Sequence, residues 1–188
     1  MFVLFQGYSQ KIPSVTSNST FDDKESSIVY NRFNVEFDSF LSYHKYCYWS
    51  NKDTYLVFGY KDEEWKALKL TVKYAEEVPR KKTILRIKQN KIRVSEKELT
   101  KLIEYFTTNN FWTLENDSLN LHERRELDGT ITLYTATDGC SDNFETLSSG
   151  NFRLTSSYNA EYFQKLIPVN QREKFILCRD EMLRLLGK

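Results

Sequence analysis

Apolar and polar positions repeat with two different periods along the chain, and these periods predict where its helices and strands lie. Between residues 24 and 44, apolar side chains recur at helical spacing, which predicts one long helix with an aromatic face. Residues 54 to 61 and 65 to 74 instead alternate with period two around the charged segment 62 to 64, which predicts an antiparallel hairpin. The apolar positions of the helix are Val29, Phe33, Phe37, Phe40, Leu41 and His44.

A second hairpin is predicted between residues 85 and 94, folded about Gln89 and Asn90. Its apolar side chains then share one face and its basic side chains share the other. The cross-strand pairs are Leu85 with Val94, Arg86 with Arg93, Ile87 with Ile92, and Lys88 with Lys91. Because like charges oppose each other in this register, the pattern favours either an acidic partner or a different strand pairing.

The most regular pattern in the chain is an amphipathic helix that begins after Ser95. Ser95 and Glu98 form a capping box, and the apolar positions that follow keep helical spacing until residue 109. Farther along, residues 128 to 139 and 151 to 158 are predicted to form strands that pair with each other.

Two more helices are predicted near the C-terminus. A short one covers residues 160 to 166 and ends before Pro168, and Asn170 with Glu173 is expected to cap the last one. The apolar side of the last helix includes Phe175, Cys178, Met182, Leu185 and Leu186, and Gly187 is expected to end it.

Strand pairs joined by short turns, rather than by helical crossovers, indicate the α+β class. We expect an antiparallel sheet with two to four helices packed mainly on one face. A length of 188 residues favours a single domain, which we place at residues 24 to 188, after an N-terminal arm of residues 1 to 23.

The first ten residues, MFVLFQGYSQ, resemble the end of a bacterial signal peptide, because Gly7 and Ser9 supply the small residues that precede a cleavage site. The resemblance implies export to the periplasm or beyond the cell, and residues 1 to 23 become a signal-peptide remnant followed by a polar arm. A native edge strand and a protease-cleavage remnant are the alternatives, and both are compatible with a cytoplasmic protein.

Cysteine pairing follows from the compartment. The cysteines are Cys47, Cys140 and Cys178. In an exported protein two of them are expected to form a disulfide, whereas in the cytoplasm all three are expected to stay reduced. Asn18 and Asn116 match the glycosylation sequon, which matters only in a eukaryotic secretory pathway.

Composition and charge exclude several classes of function. The chain has 27 basic and 26 acidic side chains, and its net charge of +1 disfavours nucleic acid as a partner. No apolar run is long enough for a membrane-spanning helix. Glycine-rich nucleotide loops and closely spaced cysteine pairs are absent from the sequence, so we expect no cofactor and no metal.

Two surfaces are candidates for binding a protein, a glycan or an acidic ligand. Residues 80 to 93 contain seven basic side chains and no acidic one, and we select Arg86, Lys88, Lys91 and Arg93 as binding residues. An aromatic-rich zone begins at residue 43, and exposed aromatic rings there would form a binding platform. Its selected residues are Tyr43, Trp49 and Trp65.

One cluster has the residue types of acid and base catalysis. His122, Glu123, Glu126 and Asp128 lie close together in the sequence, and a hydrolase would require them to meet in one concave pocket. Mixed-charge runs of this kind more commonly lie on the surface. The sequence therefore favours a non-catalytic, exported binding domain of unknown ligand, with a hydrolase built on residues 122 to 128 as the alternative.

Overall fold

A computed structural model describes residues 11 to 17, 24 to 75 and 83 to 185. Six strands form one antiparallel sheet: β1 (Ser39–Tyr46), β2 (Lys52–Lys61), β3 (Glu64–Tyr74), β4 (Ile84–Lys91), β7 (Ser141–Ser148) and β8 (Asn151–Tyr158). Their order across the sheet is β4-β3-β2-β1-β7-β8. The strands β5 (Glu123–Arg125) and β6 (Ile131–Leu133) form a separate small hairpin.

Five helices accompany the sheet, and the expected α+β class is confirmed. They are α1 (Ile28–Phe33), α2 (Glu96–Thr108), α3 (Asn116–Leu119), α4 (Ala160–Leu166) and α5 (Asn170–Arg184). Residues of α2 to α5 pack on the side of the sheet that carries Leu41 and Phe58, which we call the helical face. Helix α1 packs on the opposite side, which carries Phe40 and Val57 and which we call the α1 face.

The single helix predicted over residues 24 to 44 is wrong. Helix α1 ends at Phe33, and the chain continues into β1, whose first six residues are all buried. Residues pack against both of its faces, with Leu41 on the helical face and Phe40 on the α1 face, so its sequence shows no period of two. Aromatic residues at positions 33, 37 and 40 therefore imitate helical spacing, although they belong to three different local structures.

The hairpin predicted between residues 85 and 94 is also wrong. Residues Ile84–Lys91 form one continuous strand, β4, which pairs with β3 along its length. Arg86 lies opposite Lys73 and Lys88 lies opposite Thr71. The predicted turn at Gln89 and Asn90 does not form, because an exposed strand edge of β3 is available as a pairing partner.

The predicted hairpin of residues 54 to 74 is confirmed as β2 and β3. Its turn contains Asp62 and Glu63, both with positive φ, as two-residue hairpin turns require. In contrast, residues 151 to 158 pair with β7, which the sequence pattern missed, and the short β6 pairs with β5. Strand β7 escaped recognition because most of its buried positions hold polar residues.

Three of the predicted helices are confirmed, as α2, α4 and α5. The capping box of Ser95 and Glu98 is present at the start of α2, and α4 covers the predicted residues. Helix α5 begins at Asn170, but the residue in the cap position is Val169 and provides no side-chain hydrogen bond, so the predicted Asn170 cap is wrong. Leu186 and Gly187 lie outside the described residues.

A disulfide joins Cys47, in the loop after β1, to Cys140, immediately before β7. Cys178 is a buried free thiol in α5, and burial raises its pKa to about 12. The residues that the structure describes include no helix with both the length and the apolar composition needed to cross a membrane.

The side chains of Asn116, the first residue of α3, and of Asn120, the residue after this helix, complete the outer edge of β8. The Asn116 amide donates to the Leu154 carbonyl and accepts from the Ser156 backbone N–H, at 3.0 and 2.9 Å. Asn120 makes the same pair of bonds one step farther along the strand. Because the Asn116 nitrogen is occupied in this way, a glycan on its sequon would disrupt the edge.

A buried guanidinium connects α5 to the segments around α3. Arg172 is fully buried and donates to three backbone carbonyl oxygens, those of Leu119, Leu121 and Ile167, at 2.7 to 2.9 Å. These carbonyls lie at or just after the C-terminal ends of the short helices α3 and α4, where backbone acceptors lack partners within the helix. The three bonds hold α5 over the β8 end of the helical face.

We expect reduction of the disulfide to lower the free energy of unfolding by about 4 kcal/mol, because the bridge closes a long loop in the unfolded chain. Its cysteines are separated by 93 positions. Urea denaturation with and without reductant measures the change. The Cys47→Ser/Cys140→Ser variant is the control and should not respond to reductant; equal stability of this variant and the oxidised protein would contradict the expectation.

Candidate functional site

The predicted aromatic residues are not gathered on one surface. Tyr43 is buried, and its hydroxyl donates to Asp142 at 2.6 Å, while Trp65 is half-buried against Tyr60. Only Trp49 is exposed, with 52% of its surface accessible, and its ring contacts that of Tyr48 edge to face. Of the predicted aromatic residues, only Trp49 therefore belongs to an exposed aromatic pair, in the loop between β1 and β2.

The predicted acid and base residues lie on or beside the small β5–β6 hairpin and do not meet in a pocket among the described residues. Glu126 accepts hydrogen bonds from Arg124 and Thr132, and the Arg124 bond lowers its pKa. Glu123 is exposed, and so is Asp128, which accepts from the backbone and side chain of Thr130.

His122 faces a different environment from these carboxylates. Its ring stacks on Phe163 with the ring centres 4.0 Å apart. Burial lowers its pKa, and the charge of Arg172 adds to this effect. The imidazole therefore belongs to the packing around α4, and the structure does not join it to the carboxylates of the hairpin.

The predicted basic residues divide between the two sides of the sheet. All four are exposed, and Arg86 and Lys88 project from the helical face, as their pairing with Lys73 and Thr71 requires. Lys91 lies opposite Leu68, a residue of the α1 face, and Arg93 follows the end of β4. Arg80, Lys81 and Lys82 lie outside the described residues.

Four lysines that the sequence reading did not select join Arg86 and Lys88 on the helical face. We call the six residues the basic patch: Lys45, Lys52, Lys69, Lys73, Arg86 and Lys88. All six are exposed, and none forms an ion pair with another described residue. In β2 and β3 these lysines alternate with apolar residues, and this alternation is visible in the sequence. That the six residues share one surface becomes apparent only from the register of β1, β2, β3 and β4.

The register aligns the basic patch in rows across the strands. Lys52 lies opposite Lys73, which lies opposite Arg86. Adjacent strands are separated by about 4.8 Å, so the row is a closely spaced line of positive charge. Beside it, a groove of about 600 Å³ has an apolar floor that includes Leu56 and Ile92.

The patch ends at a sheet edge that is open among the described residues. Strand β4 pairs only with β3, and every one of its residues except Ile87 is exposed. The opposite edge, β8, is covered by the amides of Asn116 and Asn120. An unpaired strand edge can accept another extended chain.

A separate cavity of about 300 Å³ lies on the α1 face, at the same end of the sheet. Its polar lining comes from four strands and includes His44, Asp53, Tyr55, Tyr74, Asn143 and Glu145. We call it the tyrosine cavity, because Tyr46, Tyr55 and Tyr74 all line it. The sequence reading missed this site, since its residues alternate with buried apolar residues in strands that are distant along the chain.

Glu145 is the most unusual group in the tyrosine cavity. Only 5% of its surface is accessible, yet it forms no ion pair with any described residue. Its Oε2 atom accepts one hydrogen bond from Ser27, at 2.5 Å. Burial raises the pKa of Glu145 to about 7, although the Ser27 hydrogen bond acts in the opposite direction.

Two tyrosines form a hydrogen-bonded chain on the cavity wall. The Tyr55 hydroxyl donates to the Tyr74 hydroxyl, which donates to Asp53. Burial raises the pKa of both tyrosines well above the usual value. Tyr55 also packs against His44, with ring centres 4.3 Å apart. Groups that could hold a metal ion are absent from the described part of the chain.

Comparisons with known proteins found none that is similar to this chain. No protein-family model matches the chain, and neither the curated proteins nor the solved structures contain a significant match.

Replacing Glu145 with glutamine is expected to remove a pH dependence of stability. A carboxyl whose pKa rises from 4.5 to about 7 on folding binds more protons in the folded state between these values. The free energy of unfolding therefore falls as the pH rises through this range, by about 3 kcal/mol in total. Denaturant unfolding at several pH values from 4 to 8 should show this fall in the wild type and not in Glu145→Gln.

The matched control is Glu104→Gln, at an exposed position of α2. This variant should keep the wild-type pH dependence. A Glu145→Gln variant with an unchanged stability profile would show that the carboxyl does not hold its proton on folding.

Proposed function

We propose that the protein is an exported, non-catalytic binding domain that takes an acidic, extended segment of a partner protein at the open edge of β4. The observation that carries this proposal is the basic patch, six exposed cations on one sheet face that form no ion pair among the described residues. A net charge of only +1 means that this charge is concentrated locally, as a binding surface for an anion requires.

The edge strand favours a peptide over other anions. A segment that pairs with β4 would place every second side chain on the helical face, beside Arg86 and Lys88. Acidic residues at those positions would face the patch. Threonines, rather than aromatic rings, lie between its cations at positions 54 and 71, so the rows of cations are not interleaved with the stacking platforms that single-stranded nucleic acid uses.

A second copy of the same strand is a poor occupant of this edge. Antiparallel pairing of β4 with itself would bring Arg86 and Lys88 of one chain against the basic residues of the other. Like charges directly opposite each other destabilise a strand pair. The charges on β4 therefore select an acidic partner and oppose self-association.

Export is supported by the disulfide. Disulfides persist in oxidising compartments and are rare in reducing ones, and the bond between Cys47 and Cys140 is therefore typical of an exported protein. The N-terminal segment that resembles a signal peptide lies outside the described residues. The same disulfide fixes the loop that carries Tyr48 and Trp49, which offers a second contact surface beside Lys52.

The hydrolase alternative gains no support from the positions of its residues. Glu126 and Asp128 are engaged in hydrogen bonds within their own hairpin, and both side chains are far from full burial. A general acid that works near neutral pH needs a raised pKa, whereas both of these values are lowered, by the bonds from Arg124 and Thr130 respectively.

Titration with a synthetic peptide tests the proposal. We expect a capped peptide of alternating glutamate and valine to shift the backbone amide signals of β4 in NMR spectra. The Arg86→Glu/Lys88→Glu variant should bind it at least about tenfold more weakly, because attraction is replaced by repulsion. The control variant Lys97→Glu/Lys101→Glu changes the same net charge on the exposed side of α2 and should bind like the wild type.

Two further peptides separate strand pairing from charge alone. A peptide with lysine in place of glutamate should not bind, and one with alternate N-methylated residues should bind much more weakly, since it lacks the donors that pair with a strand edge. Equal binding of the N-methylated peptide, or of heparin with no shifts along β4, would point to a general anion surface and contradict the strand-pairing proposal.

A further inference from the structure

The tyrosine cavity has no part in the peptide-binding proposal, since it lies on the other side of the sheet. It is formed by residues of β1, β2, β3, β7 and β8 together with the start of α1 and the residues that precede it. Its volume of about 300 Å³ is at the lower end of the range for small-molecule sites in proteins. The cavity is therefore suited to a compact ligand.

The buried charge of the cavity is that of Glu145, which forms no ion pair with a described residue. Among the described residues that line the cavity there is no lysine or arginine. Glu145 is nine-tenths buried and accepts a single hydrogen bond, from Ser27. A buried carboxylate is normally paired with a cation, because the loss of hydration is otherwise uncompensated.

The walls of the cavity favour an organic cation over a hydrated ion. Tyr46, Tyr55, Tyr74 and Phe152 contribute aromatic surface, and aromatic faces attract cations that have apolar substituents. The described residues provide no group of ligands positioned for a metal ion. One counter-ion beside several rings is the arrangement that recognises ammonium groups.

We infer that the tyrosine cavity binds a small organic ammonium ion, with Glu145 as its counter-ion and the tyrosine rings around its apolar part. The ammonium group supplies the cation that the Glu145 carboxylate lacks. The buried rings of Tyr55 and Tyr74 lower the local polarity around the pair, which strengthens the attraction. This site is independent of β4, so a failure of either proposal leaves the other intact.

A pair of ligands with the same shape and different charge tests the inference. Benzylammonium is the cation, and benzyl alcohol is its neutral counterpart. At pH 8 the Glu145 carboxyl is mostly ionised, given its pKa of about 7. We expect saturable binding of benzylammonium, followed by calorimetry and by the aromatic NMR signals of Tyr55 and Tyr74, and binding of benzyl alcohol at least about tenfold weaker.

Variants assign the effect to the buried carboxyl. Glu145→Gln keeps the shape and the acceptor for Ser27 but removes the charge, so its affinity for benzylammonium should fall by at least about tenfold. Glu104→Gln is the control and should bind like the wild type. Equal affinity for the two ligands, no saturable binding of benzylammonium, or unchanged affinity in Glu145→Gln would each overturn the inference.

Discussion

The amides of Asn116 and Asn120, which complete the outer edge of β8, determine where the helices lie on the sheet. Each amide donates to one carbonyl and accepts from one N–H of the strand, as a neighbouring strand would. Arg172 then binds the carbonyls that follow α3, which fixes α5 next to it. Farther along α5, Arg179 pairs with Asp142 of β7. The helical layer is thereby anchored at one side of the sheet.

The opposite edge of the sheet, β4, has no cover of this kind among the described residues, and both proposed sites use the same ends of β1, β2 and β3. On the helical face the ends of β1, β2 and β3 present lysines to solvent, and on the α1 face the same strands enclose acidic and aromatic side chains. In β2 the two sites alternate residue by residue, with Lys52 and Asp53 on opposite faces. A net charge close to zero therefore hides two local fields of opposite sign.

Local signals in the sequence predicted the elements that depend on local interactions. The capping box of α2, the β2–β3 hairpin and the extent of α4 all depend on residues close together in the chain, and the structure confirms them. Strands β1 and β7 were missed because consecutive residues of both strands are buried, which removes the period of two. Strand β7 also buries polar groups such as Asp142, whose partners Tyr43 and Arg179 are distant in sequence. The fold class was predictable, whereas the register and the strand order were not.

The candidate sites depend on the strand register and the strand order, which the sequence did not reveal. The basic patch was predicted in part, through Arg86 and Lys88, but the lysines that complete it belong to strands whose order no local pattern reveals. The tyrosine cavity was missed altogether, because a buried glutamate in a strand is indistinguishable from an exposed one until its neighbours are known. Those neighbours are informative, since Arg172 and Asp142 have buried partners while Glu145 has only the Ser27 hydroxyl. A buried carboxyl that faces a cavity and has a single hydroxyl partner is the observation from which the ligand site is inferred.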